Sequence, residues 1–317
     1  MVNKRVERRT LKKRKRKKWI LITALLLVLG VVTYTTYEYI AGKEAAEDQV
    51  GKSETNSKYE DEFQGVDDDL GKTNVLLLGV DSRGEENSRT DTIMIGQYDP
   101  DKETAKLVSI MRDSYVNIPG HGYNKINHAF FLGGPELLRQ TIQQNFGINV
   151  EYYAIIDFNG FTQVVDTVAP EGVEIEVEKY MSHNIDVELQ PGVQRLNGKE
   201  LLGYARFRHD RDGDFARVER QQKVIKLLKD EMISFAGLFK LPRVVGTLEP
   251  YIDTNMKTGT ILSLGKDFLL NPVDNIETLR IPIRETAWDS TYSHAGDVLE
   301  FNEAENRAEI KSFLNVE

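Results

Sequence analysis

The pattern of hydrophobic and polar positions changes twice along this 317-residue chain. Residues 19–37 are uncharged, and a helix of that length would span about 28 Å, close to the thickness of the apolar layer of a bilayer. Residues 41–72 are rich in Glu, Asp, Gly, Ser, Lys and Asn, and beyond them short apolar runs recur. The pattern predicts a transmembrane helix at 19–40, a flexible acidic stalk at 41–72 and one folded domain at 73–317.

Within the folded domain, short apolar runs alternate with segments of helical periodicity. Strands are predicted at 74–80, 92–98, 106–110, 152–158, 173–177 and 278–283. Helices are predicted at 134–146, 161–168, 198–206, 217–235, 258–270 and 303–314, the third of them capped by Asn197. This alternation predicts a single α/β domain, in which a central mixed β-sheet is flanked by helices in α-β-α layers.

Charge divides the chain into two opposite regions. Residues 1–18 contain eleven Lys or Arg and one Glu, a net charge of +10. Since the whole chain carries −9, the remainder carries −19. A basic block directly before an apolar span stays in the cytoplasm, which predicts a single-pass membrane protein with a cytoplasmic tail and an extracellular domain. The long span, without a clear cleavage site near Ala41, favours an uncleaved signal anchor over a cleaved signal peptide.

Several kinds of chemistry are excluded by what the sequence lacks. The chain has no cysteine, so disulfides, thiolate catalysis and Cys-ligated metals are excluded. It contains no Walker A motif, no G-x-G-x-x-G and no G-x-S-x-G, and its five histidines show no zinc-binding spacing. An exported domain without disulfides fits a bacterial cell surface better than an animal one.

Two carboxylates lie at the ends of predicted strands. Asp81 follows the first strand, close to Arg83, and Asp91 precedes the second strand, close to Arg89. Mg²⁺ commonly binds one or two carboxylates together with the phosphates of a substrate. Asp81 and Asp91 are therefore candidate ligands for Mg²⁺, or for Mn²⁺ in its place. Two Asp–Arg pairs on a surface turn would explain the same residues.

Cations form a second group of candidates. Arg112 closes the third predicted strand, where ligands gather in open α/β sheets, and Lys125 follows in a loop. Residues 201–222, LLGYARFRHDRDGDFARVERQQ, contain Arg206, Arg208, Arg211, Arg217 and Arg220. Because arginine binds phosphate through a planar bidentate fork, this density in an acidic domain predicts a dedicated anion site. The alternative is a charged helix face paired with Asp214 and Glu219.

Five segments in one order resemble the LytR–CpsA–Psr family of Gram-positive envelope proteins: NVLLLGVDSR, SRTDTIMI, LVSIMRDSYV, YNKINHAFFLGG and LLGYARFRHDRDGDFARVERQQ. The resemblance implies an enzyme that moves a teichoic acid, capsule or similar glycopolymer from a polyprenyl diphosphate carrier to peptidoglycan. That reaction forms a phosphodiester with a muramic-acid hydroxyl and releases polyprenyl phosphate. The implied partners are the lipid-linked glycopolymer, peptidoglycan and membrane lipid, and not nucleic acid.

The resemblance also implies roles for individual residues. By matching position, Asp81 and Asp91 would hold Mg²⁺ against the diphosphate and form the catalytic group with Arg112 and Arg208. The phosphates would also be surrounded by Arg83, Arg89, Lys125 and Arg217, with Arg206, Arg220 and Gln221 as second choices. One aspartate of the pair could accept the proton of the acceptor hydroxyl, and the sequence does not choose between them.

Other functions use parts of the same sequence. A polyprenyl-diphosphate hydrolase, with water as the acceptor, would need the same site. A transcriptional attenuator would need nucleic acid in the cytoplasm, but only residues 1–18 are predicted there, and a polyphosphate would repel the acidic remainder. A non-catalytic glycan-binding module would leave the paired aspartates and the many arginines unexplained.

Overall fold

The computed structural model describes residues 3–50, 58–67, 70–81, 90–209, 212–233 and 235–316. The helices are α1 Asn3–Val50, α2 Ile126–Phe146, α3 Phe158–Val168, α4 Gly198–Arg206, α5 Gly213–Ile233, α6 Phe235–Leu248, α7 Thr258–Leu270 and α8 Glu303–Leu314. The strands are β1 Thr73–Val80, β2 Thr90–Asp99, β3 Thr104–Ile110, β4 Tyr115–Ile118, β5 Gly122–Lys125, β6 Tyr152–Asp157, β7 Val173–Val177, β8 Gly192–Leu196, β9 Ile252–Thr254, β10 Ile276–Ile281, β11 Ala287–Tyr292 and β12 Gly296–Phe301.

A six-stranded sheet with the order β10-β3-β2-β1-β6-β9 forms the centre of the fold. The β1 strand pairs antiparallel with β2 and parallel with β6, while β3 pairs parallel with β10. Helices cover both faces of this sheet. The mixed sheet between helical layers confirms the predicted fold class.

One face of the sheet carries the main hydrophobic core. Side chains of a strand alternate between faces, and Leu76 and Leu78 of β1 are fully buried on this one. They belong to the same cluster as Leu138 of α2 and Leu314 of α8. Each such side chain contributes roughly 1.5–3 kcal/mol when it is fully buried. This core fixes the strand ends from which the candidate site is built.

The opposite face of the sheet is only partly covered. Its residues in β1, which include Leu77, are half-buried. A small cluster joins Met94 of β2 to Ile225 of α5, and Phe268 of α7 packs edge-on against Tyr98 of β2 at 5.9 Å between ring centroids. Although α7 is rich in apolar residues, it has no fully buried side chain. The sheet and these helices therefore face each other with apolar side chains that remain partly accessible.

A second core lies beside α4. It contains Val165 of α3, Ile175 of β7 and Tyr204 of α4. The start of α4 is a capping box, in which Asn197 accepts from the backbone N–H of Glu200 and the Glu200 carboxylate accepts from the backbone N–H of Asn197. This confirms the predicted N-cap and fixes the position at which the arginine-rich segment begins.

The segment predicted as a flexible stalk, 41–72, differs from that prediction at both ends. The first helix continues to Val50, and Ala46 is buried. Further on, Phe63 packs against Tyr153 at 4.8 Å between ring centroids, and the Val66 N–H donates to the Val150 carbonyl at 2.8 Å. Composition predicted solvation here because it does not register the few apolar side chains that dock on the domain.

Two glycines allow α1 and α6 to approach each other closely. A Cβ added at Gly42 would lie 2.2 Å from the carbonyl oxygen of Arg243, and one at Gly246 would lie 2.1 Å from that of Tyr39. Any larger residue would therefore push the helices apart. The contact also holds the ion pairs Lys43–Glu249 at 3.1 Å and Arg243–Glu38 at 2.8 Å. Within the described residues, Lys17–Glu47 of α1 is the helix long and apolar enough to cross a membrane.

Candidate active site

Asp81 and Asp91 lie at one edge of the central sheet. Val80, the last residue of β1, pairs with Thr90 of β2 after a shift in register. Asp81 directly follows Val80, and Asp91 directly follows Thr90. Both half-buried side chains therefore start from neighbouring strand ends. The predicted site residues Arg83 and Arg89 lie outside the described residues.

Arg112 connects two aspartates at this edge. It follows β3 by two residues, donates from Nη1 to the Asp91 carboxylate, and donates from Nε to Oδ2 of Asp113 at 3.3 Å. The other Asp113 oxygen lies 3.0 Å from Nζ of Lys125. Burial alone would lower the pKa of Arg112, but Asp91 and Asp113 outweigh it and raise that pKa. Arg112 is therefore a fixed, permanently charged donor.

Asp113 was not selected from the sequence as a site residue. In the structure it is half-buried, and although burial would raise its pKa, Arg112 and Lys125 outweigh that effect and lower it. It holds both cations in place, and its position directly after Arg112 in the chain was the signal available.

The start of α5 and the segment before it supply the rest of the network. Nη2 of Arg217 donates to Oδ2 of Asp214 at 2.9 Å and to the backbone carbonyl of Asp91 at 3.2 Å. Nε of Arg208 lies 3.1 Å from the other Asp214 oxygen. We call the resulting set the charged network; its members are Lys125, Asp113, Arg112, Asp91, Arg217, Asp214 and Arg208. Within it, the carboxylates of Asp113 and Asp214 each contact two cations, whereas Asp91 contacts Arg112 through its carboxylate and Arg217 through its backbone carbonyl.

Arg217 is a deeply buried cation, with a side chain only 5% exposed. Burial lowers its pKa to about 10, an effect that Asp214 offsets in part and that Arg112 and Arg208 increase. The guanidinium therefore remains charged at neutral pH, although burying this charge costs free energy. Its buried Nε finds no acceptor among the described residues. Since a buried donor without a partner costs roughly 1–3 kcal/mol, this position favours the arrival of an additional anion.

Three predicted second-choice residues have different surroundings. Gln221, one turn beyond Arg217, donates to Oγ1 of Thr92 at 3.1 Å and so reaches the site edge of β2. Arg206, by contrast, stacks 4.3 Å from the ring centroid of Phe158 and pairs with Asp186 at 3.6 Å.

Arg220 is buried and supports the chain next to the site. Its Nη2 donates to the carbonyl of Phe207 at 2.9 Å. Because Phe207 directly precedes Arg208, this bond fixes the backbone from which Arg208 reaches Asp214. Arg220 thus positions a member of the charged network.

The side-chain oxygens available at the site are sufficient for a divalent cation only if a bound substrate supplies further oxygen ligands. Among the described residues, no group of three or more His, Asp or Glu could hold a metal ion. Asp81 and Asp91 offer two carboxylates, and Mg²⁺ commonly takes one or two, completing its shell with water and phosphate oxygens. This donor set suits an ion that arrives with a diphosphate better than one held by protein alone.

Comparisons with known proteins extend over most of the chain. The profile of the LytR_cpsA_psr family matches residues 34–310, a range that includes the whole charged network. The regulatory protein MsrR of Staphylococcus aureus strain COL is 45% identical over 90% of this chain and 86% of its own length. The polyisoprenyl-teichoic acid–peptidoglycan teichoic acid transferase TagT of Bacillus subtilis is 31% identical over 80% of this chain and 82% of its own. A solved structure of the protein YwtF (TagT) with bound octaprenyl pyrophosphate lipid has a TM-score of 0.58 and 26% identity, covering 84% of this chain and 97% of that one.

Proposed function

Because the chain belongs to the LytR–CpsA–Psr family, we propose that it transfers a cell-wall glycopolymer from a polyprenyl diphosphate carrier to peptidoglycan. The observation that carries this proposal is the charged network, in which the guanidinium of Arg217 is buried with an unused donor. The teichoic acid transferase TagT, to which the chain is similar, supports the class of reaction. The octaprenyl pyrophosphate bound in the related structure supports a lipid diphosphate as the donor.

The network provides what phosphoryl transfer needs from a protein. That reaction depends on positioning and on neutralising charge more than on covalent help. Arg112, Arg208 and Arg217 would surround the diphosphate, and their aspartate partners hold them before the substrate arrives. Little reorganisation is then required as negative charge develops on the phosphate that leaves.

The transfer has a balanced course. The acceptor hydroxyl oxygen attacks the phosphorus that bears the glycan, the bond to the bridging oxygen breaks, and polyprenyl phosphate leaves. The hydroxyl proton passes to a carboxylate at the edge of the sheet, and Asp81 and Asp91 are the candidates. Arg112 donates to the Asp91 carboxylate and would hold it in a fixed orientation during this step.

We further propose that Asp81 and Asp91 hold Mg²⁺ against the diphosphate. When bound, the ion would neutralise charge on the phosphate oxygens. Both aspartates start from neighbouring strand ends, which supports a shared ligand.

The partly covered face of the sheet supports a place for the lipid chain. Leu77 of β1, Ile225 of α5 and Phe268 of α7 are apolar and only partly buried on facing layers. An extended hydrocarbon chain between the layers would bury this surface at roughly 25 cal/mol per Å². The diphosphate would then lie at the strand ends, beside the charged network.

The long apolar part of α1 supports attachment to a membrane. Lys17–Glu47 has the length and composition of a membrane span, and the basic residues 1–18 precede it. We propose that the tail lies in the cytoplasm and the folded domain outside the cell, in agreement with the positive-inside rule.

The proposed transfer is tested with the full-length protein in lipid vesicles. The protein would be incubated with a synthetic polyprenyl-diphosphate glycan, Mg²⁺ and peptidoglycan oligomers, and the products identified by mass spectrometry. A glycan phosphate joined to the oligomer is the expected product. Free glycan phosphate without any conjugate would instead assign a hydrolase, and an intact donor would contradict catalysis altogether.

A further inference from the structure

Four aromatic rings form a cluster on the surface beside the charged network. Tyr115 stacks on Tyr292 with ring centroids 4.7 Å apart and planes at 11°, and Tyr123 lies 5.5 Å from Tyr115. The ring of His294 lies 5.7 Å from that of Tyr292. Tyr123 is 44% exposed and Tyr292 is 36% exposed, so this packing does not cover the rings. We call these four residues the aromatic platform.

The aromatic platform is continuous with the charged network. Tyr115 of β4 pairs directly with Lys125 of β5, and Tyr123 precedes Lys125 by two residues. Since side chains alternate along a strand, the three residues share one face of this hairpin. Lys125 in turn pairs with Asp113 at 3.0 Å. A ligand bound on the rings would therefore extend directly into the network.

A second hairpin completes the surface. The Leu299 N–H of β12 donates to the Asp113 carbonyl at 2.9 Å, which holds this hairpin beside the network. Tyr292 and Trp288 occupy alternate positions on one face of β11, and Trp288 is 50% exposed. Glu300, which pairs with Trp288 across the hairpin, accepts from the Tyr292 hydroxyl at 2.6 Å. The four-residue separation extends the aromatic surface roughly 13 Å along the strand.

The charges around the rings indicate the kind of ligand. The hydroxyls of Tyr123 and Tyr292 donate to the carboxylates of Glu303 and Glu300 at 3.3 and 2.6 Å. A polyanionic polymer would be repelled by these two carboxylates. Uncharged sugar rings suit the surface, because their apolar faces stack on aromatic rings and their hydroxyl and amide groups donate to carboxylates.

We propose that the aromatic platform, extended by Trp288, binds the acceptor glycan strand through its uncharged N-acetylated sugar rings. The strand would cross the two hairpins and deliver its hydroxyl past Lys125 to the charged network. The identity of this glycan as the acceptor rests on the proposed transferase function, whereas glycan binding on the platform does not.

Binding is tested without any need for turnover. The chain has two tryptophans, Trp19 and Trp288, so the full-length Trp19→Phe protein reports on Trp288 alone. We expect uncharged oligomers of N-acetylglucosamine to change its fluorescence saturably. Tyr292→Ala should weaken the Kd about tenfold, as expected for one lost stacked ring. The matched control is Tyr180→Ala, because Tyr180 is a 49% exposed tyrosine outside the platform. A flat titration, or equal loss in the control, would overturn the proposal.

Kinetics then separate the acceptor from the donor. In the vesicle assay, Tyr123→Ala and Tyr292→Ala should each raise the KM for peptidoglycan oligomers about tenfold and leave the KM for the lipid diphosphate unchanged. Tyr292→Trp should restore the KM. A rise in the donor KM instead would show that the platform binds the donor polymer and would overturn the assignment. Saturable glycan binding in a wild-type protein that makes no conjugate would contradict the proposed function but support the platform as a glycan site.

Discussion

Arg217 donates to Asp214 at 2.9 Å from the next turn of the same helix. Arg208, which belongs to the segment before that helix, lies 3.1 Å from the other oxygen of the same carboxylate. One aspartate therefore orients two of the cations that are proposed to bind phosphate. Its role is to position them.

Replacement of Asp214 by asparagine should reduce transfer strongly without preventing folding. The amide keeps the shape of the side chain but cannot hold two guanidinium groups, and misplacement of a reacting group by about 1 Å can cost roughly a hundredfold in rate. We expect kcat in the vesicle assay to fall by about tenfold to a hundredfold, with unchanged far-UV circular dichroism. Wild-type turnover in Asp214→Asn would remove this aspartate from the mechanism.

Arg112 should not tolerate replacement by lysine. Its fork reaches two aspartates at once, and an ammonium group on a flexible stem cannot reproduce both contacts. We expect Arg112→Ala to lower kcat about a hundredfold to a thousandfold, and Arg112→Lys to recover little of it. Arg195→Ala is the control, since Arg195 lies outside the charged network and contacts only Glu174, at 3.8 Å, and the carbonyl of Gly172, at 3.0 Å, among the described residues. Full activity of Arg112→Lys would show that charge alone is sufficient.

Asp113 should stabilise the fold in a pH-dependent manner. Its pKa is lowered in the folded protein, so its stabilising contribution is fully present above the unfolded pKa of about 3.9 and is lost as the pH falls through the lowered folded value. Asp113→Asn should therefore unfold at a lower temperature than the wild type at pH 7, and the difference should shrink below about pH 3.9. Thermal unfolding of the detergent-solubilised wild type and variant measures this difference in melting temperature at each pH. A difference that grows as the pH falls would contradict the assignment.

Asp81 should determine the requirement for Mg²⁺. We expect Asp81→Asn to raise the Mg²⁺ concentration for half-maximal activity by about tenfold or more, because a neutral amide is a weaker ligand than a carboxylate. A titration of the vesicle assay with Mg²⁺ measures this midpoint. An unchanged midpoint would argue against a ligand role even if kcat fell.

The contact between α1 and α6 should fail when Gly246 is enlarged. Its added Cβ would already lie 2.1 Å from a backbone oxygen, so Gly246→Val should destabilise the protein by about 1–3 kcal/mol. Gly30→Val is the matched control, because a Cβ at Gly30 meets nothing within 4 Å. Thermal unfolding in detergent measures the difference. Equal melting of the two variants would show that the helices do not approach closely.

Much of the sheet could be predicted because its strands are regular and buried. The predicted 74–80 falls within β1, and the predicted 106–110 falls within β3. The β4 and β5 strands were missed because they have only four residues each and are partly exposed. Their position depends on contacts with α2 and on the distant β12, which no local pattern contains.

Helix boundaries were harder where glycine and proline interrupt the pattern. The predicted start at 134 coincides with a kink in α2, whose backbone is non-helical at Gly133 and Gly134, and the prediction missed the helical segment that begins at Ile126. It also missed α6, which contains Pro242. The predicted end at residue 146 is confirmed, and Gly147 directly beyond it adopts the left-handed conformation that often ends a helix.

Spacing could not rank the arginines of the candidate site. Arg206 and Arg208 are only two residues apart, but α4 ends at Arg206 and the backbone is extended at Phe207. The two side chains consequently reach different aspartates, Asp186 and Asp214. Residue type predicted an anion site here, while the choice among its members required the three-dimensional path of the chain.

The close packing of α1 on α6 sets how far from the bilayer the enzyme can work. Gly42 follows the end of the apolar run by five residues, about 8 Å along a helix. The folded domain then lies at a nearly constant distance from the membrane, in contrast to a domain attached to its membrane helix through a flexible linker. In the proposed orientation, with the domain outside the cell, only glycan strands in the layer of the wall nearest the membrane would come within its reach, so newly made peptidoglycan would be modified before it moves outward.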